Sequence, residues 1–140
     1  MTPPAEMNRQ VVEGIFTELS KGNSRPFLDV LADDVRWTVA GTTGWSGTYR
    51  GKQAVLSELL GPLFSRFGSR YTCDADRFIA DAEHVVVEAR GHAITKSGVP
   101  FDNTYCYVFR LAEGEVHEVT EYCDTQLVVE ALGNPDGGAR

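Results

Sequence analysis

The chain has 140 residues, 42% of them hydrophobic and 24% charged, and a formal net charge of −7 from 20 acidic and 13 basic side chains. This is globular composition at the length of one domain, long enough to build a core without metal or disulfide staples. The negative balance gives phosphate backbones and anionic lipid no general attraction, so nucleic-acid and membrane partners are not expected.

Taken in chain order, Met7, Val11, Val12, Ile15, Phe16 and Leu19 recur at steps of three and four, the stripe of an amphipathic helix that Gly22-Asn23 ends. Ser24 as N-cap, with Pro26 close behind, predicts a short second helix through Leu31, closed by Asp33-Asp34. Val35 to Val39 alternates as a strand with Val35, Trp37 and Val39 on one face. Gly41 to Gly51 is a glycine-rich loop that carries Trp45 and Tyr49. A third helix is expected over Gln53 to Phe67, kinked at Gly61-Pro62.

Four strand-like segments follow, Ser69 to Ala80, Glu83 to Thr95, Phe101 to Leu111 and Glu115 to Thr125, and they predict an antiparallel meander. A last helix over about Thr125 to Leu132 ends at Gly133-Asn134-Pro135. Residues 1–6 and 133–140 are expected to be flexible, leaving one domain over 7–132. The fold class is therefore α+β: three to four helices packed on one face of a curved antiparallel sheet, enclosing a cone-shaped pocket. Val85, Val87, Val108 and Tyr122 are expected to leave the outer sheet face partly apolar, which suits a homodimer.

The chemistry-bearing residues are few. Cys73, Cys106 and Cys123 are odd in number and form neither a CxxC pair nor a cysteine–histidine set at ligand spacing, so a reducing, cytoplasmic setting with no metal and no cofactor is expected. Met1 to Pro4 lacks the basic start and apolar run of a leader peptide, and no segment approaches the roughly 18 apolar residues of a membrane span. The glycines form no phosphate-binding loop and no serine sits in a GxSxG elbow. His84 and His117, flanked by charges, read as surface residues, and most phenylalanines read as core.

The element order, together with Ala32-Asp33-Asp34-Val35-Arg36-Trp37, Tyr49-Arg50-Gly51-Lys52-Gln53-Ala54-Val55 and Glu121-Tyr122-Cys123-Asp124-Thr125, resembles the nuclear transport factor two-like superfamily, and within it the SnoaL-like branch. The resemblance spans roughly residues 7 to 132 and implies a cystatin-like α+β roll with a deep pocket, usually dimeric. The superfamily hosts several chemistries, so the fold alone does not name a reaction. Where ketosteroid isomerases hold a carboxylate base on the first strand, this chain has Val39, whose alkyl group cannot accept a proton. The resemblance to limonene-epoxide-hydrolase-like members is partial: Arg90-Gly91-His92 replaces their Arg-x-Asp step, and Trp37 and Val39 stand where polar groups hold the water. SnoaL-like cyclases use a last-strand carboxylate, and Glu121 matches that role.

Alternation independently puts Arg90 and His92 on one strand face, and Val119, Glu121 and Cys123 on one face of the last strand. Glu121 is thus the candidate acid/base, His92 its partner in proton transfer, and Arg90 the group that orients Glu121 or steadies an enolate. The alternative is a structural Glu121–Arg90 ion pair with His92 as a wall residue. Trp37, Val39 and Val119 are expected along the pocket wall, and Trp45 and Tyr49 at its mouth. Asn103 and Tyr105 share a face that the unknown hairpin register leaves unassigned. The expected activity is a cofactor-free cyclisation or isomerisation of a hydrophobic, oxygenated metabolite of polyketide or terpenoid type. The alternatives are a non-catalytic module that binds a hydrophobic ligand and an epoxide hydrolase-like enzyme.

Overall fold

A computed structural model describes residues 4–135. The chain forms α1 (Pro4–Leu19), α2 (Arg25–Val30), β1 (Leu31–Val39) and β2 (Gly47–Arg50), followed by a helical segment in three parts. Its parts are α3 (Lys52–Ala54), a π-helical stretch over Val55–Leu60, and α4 (Gly61–Phe64). The remainder is β3 (Thr72–Asp81), β4 (His84–His92), β5 (Asn103–Ala112), β6 (Glu115–Cys123) and α5 (Thr125–Leu132). This is the expected α+β architecture: one curved, open, six-stranded sheet with the helices against its concave face.

The strand order is β2-β1-β6-β5-β4-β3. β3 to β6 form the antiparallel meander, but β1 lies parallel to β6, so the sheet is mixed rather than wholly antiparallel. The Glu113-Gly114 turn has positive φ at both residues, 53° and 78°, as a tight hairpin between right-twisted strands requires. The α1 stripe supplies buried Val12, Ile15, Phe16 and Leu19. Phe16 packs edge-on against Phe78 and Phe109 and tilted against Tyr107, which fastens α1 over the β3–β4–β5 end of the sheet.

Several local expectations change. Helix α1 begins at Pro4, so residues 4–6 belong to it, while residues 1–3 and the tail 136–140 lie outside the described residues. Ser24 occupies the N-cap position of α2 without capping it; the Asn23 side chain accepts the Arg25 backbone N–H instead. β1 starts at Leu31 rather than Val35, because an irregularity opposite β6 turns Asp33 and Asp34 outward while the strand continues. The loop after β1 contains the edge strand β2, paired with β1 from Arg36↔Arg50 to Val39↔Gly47.

The expected kink in the third helix is the π-helical stretch. Gly61 donates its N–H to the carbonyl of Leu56, five residues back, and a Cβ at Gly61 would lie 2.8 Å from that oxygen. Pro62 has no N–H to donate, so the widened turn sits directly before it. The outcome matters for the site, since the helix turns Leu59, Leu60 and Leu63 toward the cavity.

One strand is turned over relative to expectation. Val85 and Val87 are wholly buried under the helices and do not belong to the outer face. That face instead carries Val86, Val108, exposed Ile79 and exposed Tyr122.

Candidate functional site

Glu121 projects from β6 into the concave side of the sheet and stands where two narrow clefts meet. The first is lined by Phe27, Trp37, Phe64, Tyr71, Cys73 and Tyr107, with Leu19, Ser24, Leu28 and Leu60 completing its wall. The second is lined by Val39, Trp45, Leu59, Phe101, Cys123, Val128 and Leu132, with Thr43 and Thr125 as its polar atoms. Both are tight, with volumes of about 50 and 40 Å³. Glu121, Tyr105 and Leu63 line both clefts, so the carboxyl is approachable from either side.

The register explains this convergence. On β6, Val119, Glu121 and Cys123 face Phe109, Tyr107 and Tyr105 of β5 across the antiparallel pair. On the other side, the parallel pairing with β1 sets Trp37 beside Val119 and Val39 beside Glu121. Tyr105, Tyr107 and Phe109 form a stacked ladder with ring centroids 5.2 and 5.6 Å apart. Trp37 stacks on Phe27 at 5.6 Å and meets Tyr107 edge-on.

The electrostatics follow from an acid placed among rings. The Trp37 indole Nε1–H donates to Glu121 Oε1 at 3.2 Å, and the Cys123 thiol also bonds to the carboxyl. These bonds favour the carboxylate, but the loss of water around it is the larger effect and pushes its pKa up to about 7. Burial likewise raises Tyr71, Tyr105 and Tyr107 well above the ordinary phenol value and pushes Cys73 and Cys123 up to about 12. Near neutral pH the tyrosines and thiols are therefore neutral donors. Glu121 is the cavity group poised to gain or lose a proton.

The structure does not bring Arg90 and His92 to Glu121. Both point from β4 to the outer sheet face, where Arg90 forms a two-pronged ion pair with Asp76 at 2.9 and 3.0 Å. His92 lies between two carboxylates, 3.2 Å from Asp102 and 3.6 Å from Asp74. The expected Glu121–Arg90–His92 trio is corrected on this ground, and so is the alternative Glu121–Arg90 ion pair. The inward parity of β4 belongs to Val85, Val87, Ala89 and Gly91.

The remaining candidates divide. Trp37, Val39, Trp45 and Tyr105 line the clefts. Val119 is buried beneath Trp37 and Phe109 and lines neither cleft. Tyr49 sits on the edge strand β2 and donates its hydroxyl to the Trp45 carbonyl at 2.7 Å, holding the loop rather than facing the cavity. Asn103 faces inward, but its side chain is spent on the backbone of Asp124. Trp45 is pinned by its own Nε1–H to the Gly133 carbonyl at 2.8 Å and by the Arg66 guanidinium 4.9 Å above its ring. Arg66 also bonds the carbonyls of Asn134 and Pro135, which holds the chain after α5 against the cleft.

Tyr71, Cys73 and Tyr107 are cavity residues that sequence reasoning did not single out. Tyr107 carried a signal, being two positions from Tyr105 on the same strand. Tyr71 did not, because it precedes β3 and reaches the cavity only over Gly91, where a Cβ would lie 2.4 Å from its hydroxyl.

The chain belongs to the SnoaL-like domain family, whose model matches residues 12–119. No curated protein matches it in sequence. Among solved structures it is similar to a protein from Jannaschia sp. CCS1 assigned as a SnoaL-like polyketide cyclase, with 19% identity, TM-score 0.75 and coverage of 95% of this chain and 96% of that one. It is also similar to TerC, co-crystallised with polyporic acid, at 18% identity, TM-score 0.73 and 89% and 97% coverage. A third is an epoxide hydrolase of M. tuberculosis resembling limonene epoxide hydrolase, at 21% identity, TM-score 0.69 and 93% and 92% coverage. At such identities the likeness is one of fold. Among the described residues, no helix is long and apolar enough to cross a membrane.

Proposed function

We propose that the protein is a cofactor-free enzyme that cyclises or isomerises a hydrophobic, oxygenated metabolite of polyketide or terpenoid type, with Glu121 as its acid/base. One observation carries the reading: a lone carboxyl with a pKa of about 7 stands at the junction of two apolar clefts. A general base works best when its pKa lies near the working pH. The ionised Glu121 removes a proton from a carbon next to a substrate carbonyl, and the electron pair moves onto that carbonyl oxygen as an enolate. The neutral hydroxyls of the cavity tyrosines are donors suited to such a developing charge. In an aldol closure the enolate carbon bonds to a second carbonyl, whose oxygen takes the proton back from Glu121. In an isomerisation the proton returns at another carbon. Atoms and charge balance without a cofactor in either case.

An epoxide hydrolase-like reaction is less well supported, because Trp37 and Val39 stand where that chemistry needs polar groups to hold water. The reading is tested by deuterium exchange from D₂O into the central carbon of an aryl β-diketone. Wild-type protein should accelerate exchange and folded Glu121→Gln should not. Equal acceleration by both would overturn the assignment, and binding without exchange would leave a ligand-binding module.

We also propose that two copies pair through the outer sheet face. Ile79, Val86, Val108, Thr120, Thr38 and Thr48 lie in one uncharged row across all six strands, and Tyr122 is exposed beside it. Sedimentation equilibrium should give a dimer that Val108→Lys dissociates; a monomeric wild type would refute the pairing.

A further inference from the structure

A carboxyl that serves as acid/base has two oxygens, and the cavity treats them differently. Oε1 of Glu121 already accepts the indole Nε1–H of Trp37 at 3.2 Å, across the β1–β6 seam. The indole cannot easily turn away. It is 3% exposed, stacked on Phe27 with an interplanar angle of 19°, and edge-on to Tyr107. An indole N–H is a donor only, so it has no use for a protonated oxygen at that position.

We infer that Trp37 is a positioning residue: its N–H reserves Oε1 of Glu121 and leaves the other oxygen to take and return the substrate proton. The inference rests on the proposed role of Glu121 and adds which oxygen is reserved and what holds it; the carboxyl's other partner, the Cys123 thiol, is a weak neutral donor that a substrate proton can displace. Aromatic rings on both sides of the indole make the donor rigid, so the carboxyl plane is set before substrate arrives. A hydrogen bond that is stronger to the ionised carboxylate than to the neutral acid also keeps Glu121 from becoming too weak to ionise at neutral pH.

The groups that face Glu121 make the inference measurable without a substrate. They are Trp37 on β1, Tyr105 and Tyr107 on β5, Cys123 on β6, Cys73 on β3 and Tyr71 just before it; Ser24 before α2, Thr43 in the loop after β1 and Thr125 at the start of α5 add neutral hydroxyls, and the helices otherwise contribute apolar groups. Glu121 alone among these changes charge near pH 7. His92 lies on the far side of the sheet and His117 pairs with Asp34. The second indole, on Trp45, donates to a backbone carbonyl that does not titrate, so it serves as an internal reference.

The experiment follows the two indole N–H resonances of the ¹⁵N-labelled protein by NMR from pH 5 to 9. The Trp37 resonance should move with a midpoint near 7, the Trp45 resonance should stay, and Glu121→Gln should flatten the Trp37 curve. A Trp37 resonance that does not titrate, or one that titrates equally in Glu121→Gln, overturns the inference. Trp37→Phe keeps a ring on Phe27 and removes the donor. The Glu121 carboxyl carbon should then titrate about one pH unit higher, a roughly tenfold weaker acid, and an unchanged midpoint counts against the role. If that variant does not fold, the wild-type titration decides alone. A titrating indole in a protein whose Glu121→Gln variant still exchanges deuterium would refute the proposed reaction and leave the positioning contact standing.

Discussion

Asn103 and Asp124 exchange two hydrogen bonds: the Asn103 side-chain oxygen Oδ1 accepts the Asp124 backbone N–H at 3.0 Å, and its side-chain Nδ2 donates to the Asp124 backbone carbonyl at 3.3 Å. Asp124 in turn caps α5 by accepting the Leu127 N–H at 3.2 Å. A buried side chain of β5 thus imitates one more residue of strand pairing and fixes where the sheet stops and the last helix begins. Asn103→Ala would leave both Asp124 backbone groups without this partner, at a cost of about 2 kcal/mol. Urea denaturation should show that loss, with Val128 and Leu132 drawn less tightly over the second cleft.

The raised pKa of Glu121 makes stability depend on pH in a stated direction. Its ordinary value is 4.5 and its folded value about 7, so between these the folded chain holds a proton that the unfolded chain has released. Its contribution to stability therefore falls as pH rises from 4.5 to 7, by about 3 kcal/mol in all at 1.36 kcal/mol per unit. Glu121→Gln has no such group. The difference in unfolding free energy, variant minus wild type, should grow by that amount from pH 4 to pH 8. A flat difference would mean that the carboxyl is better hydrated than its setting implies.

Arg90→Gln and His92→Gln should leave deuterium exchange and its pH profile unchanged. Both side chains lie across the sheet from Glu121, in exposed pairs with aspartates that water and salt screen. A tenfold loss of exchange in either variant would place a catalytic contact on the outer face.

Gly91→Ala should disturb the cavity from behind. The added methyl would sit 2.4 Å from the Tyr71 hydroxyl and 2.8 Å from the Tyr105 ring, so one of the two must move. Overpacking of this kind costs about 1–3 kcal/mol. Because Tyr105 borders both clefts, exchange should fall more than tenfold while circular dichroism still reports the native fold.

The architecture was legible in the sequence because stripes and alternations mark elements directly: the α1 stripe, the meander and the α5 boundaries appear where the periodicities put them. The site was legible in part. Glu121 came from the resemblance to SnoaL-like cyclases, with which the alternation of β6 agreed, whereas the placement of Arg90 and His92 failed together with that of Val85 and Val87, and for one reason. Alternation tells which residues share a face but not which face turns inward, and the run Val85-Val86-Val87 hides the parity. Charges at Glu88, Arg90 and His92, against small Ala89 and Gly91, were the signal that orients the strand. Trp37 as donor to Glu121 could not be read locally, since the two lie 84 positions apart and meet only through the parallel register.

That register has an architectural consequence. β6 is the single strand that touches both halves of the sheet, β2-β1 on one side and β5-β4-β3 on the other. Until it is in place, the first hairpin and the meander are separate pieces, and Glu121 is an ordinary hydrated carboxylate. The strand that completes the fold is also the one that creates the reactive group. The pairing that joins the two halves of the sheet is thus the same pairing that takes water away from the Glu121 carboxyl.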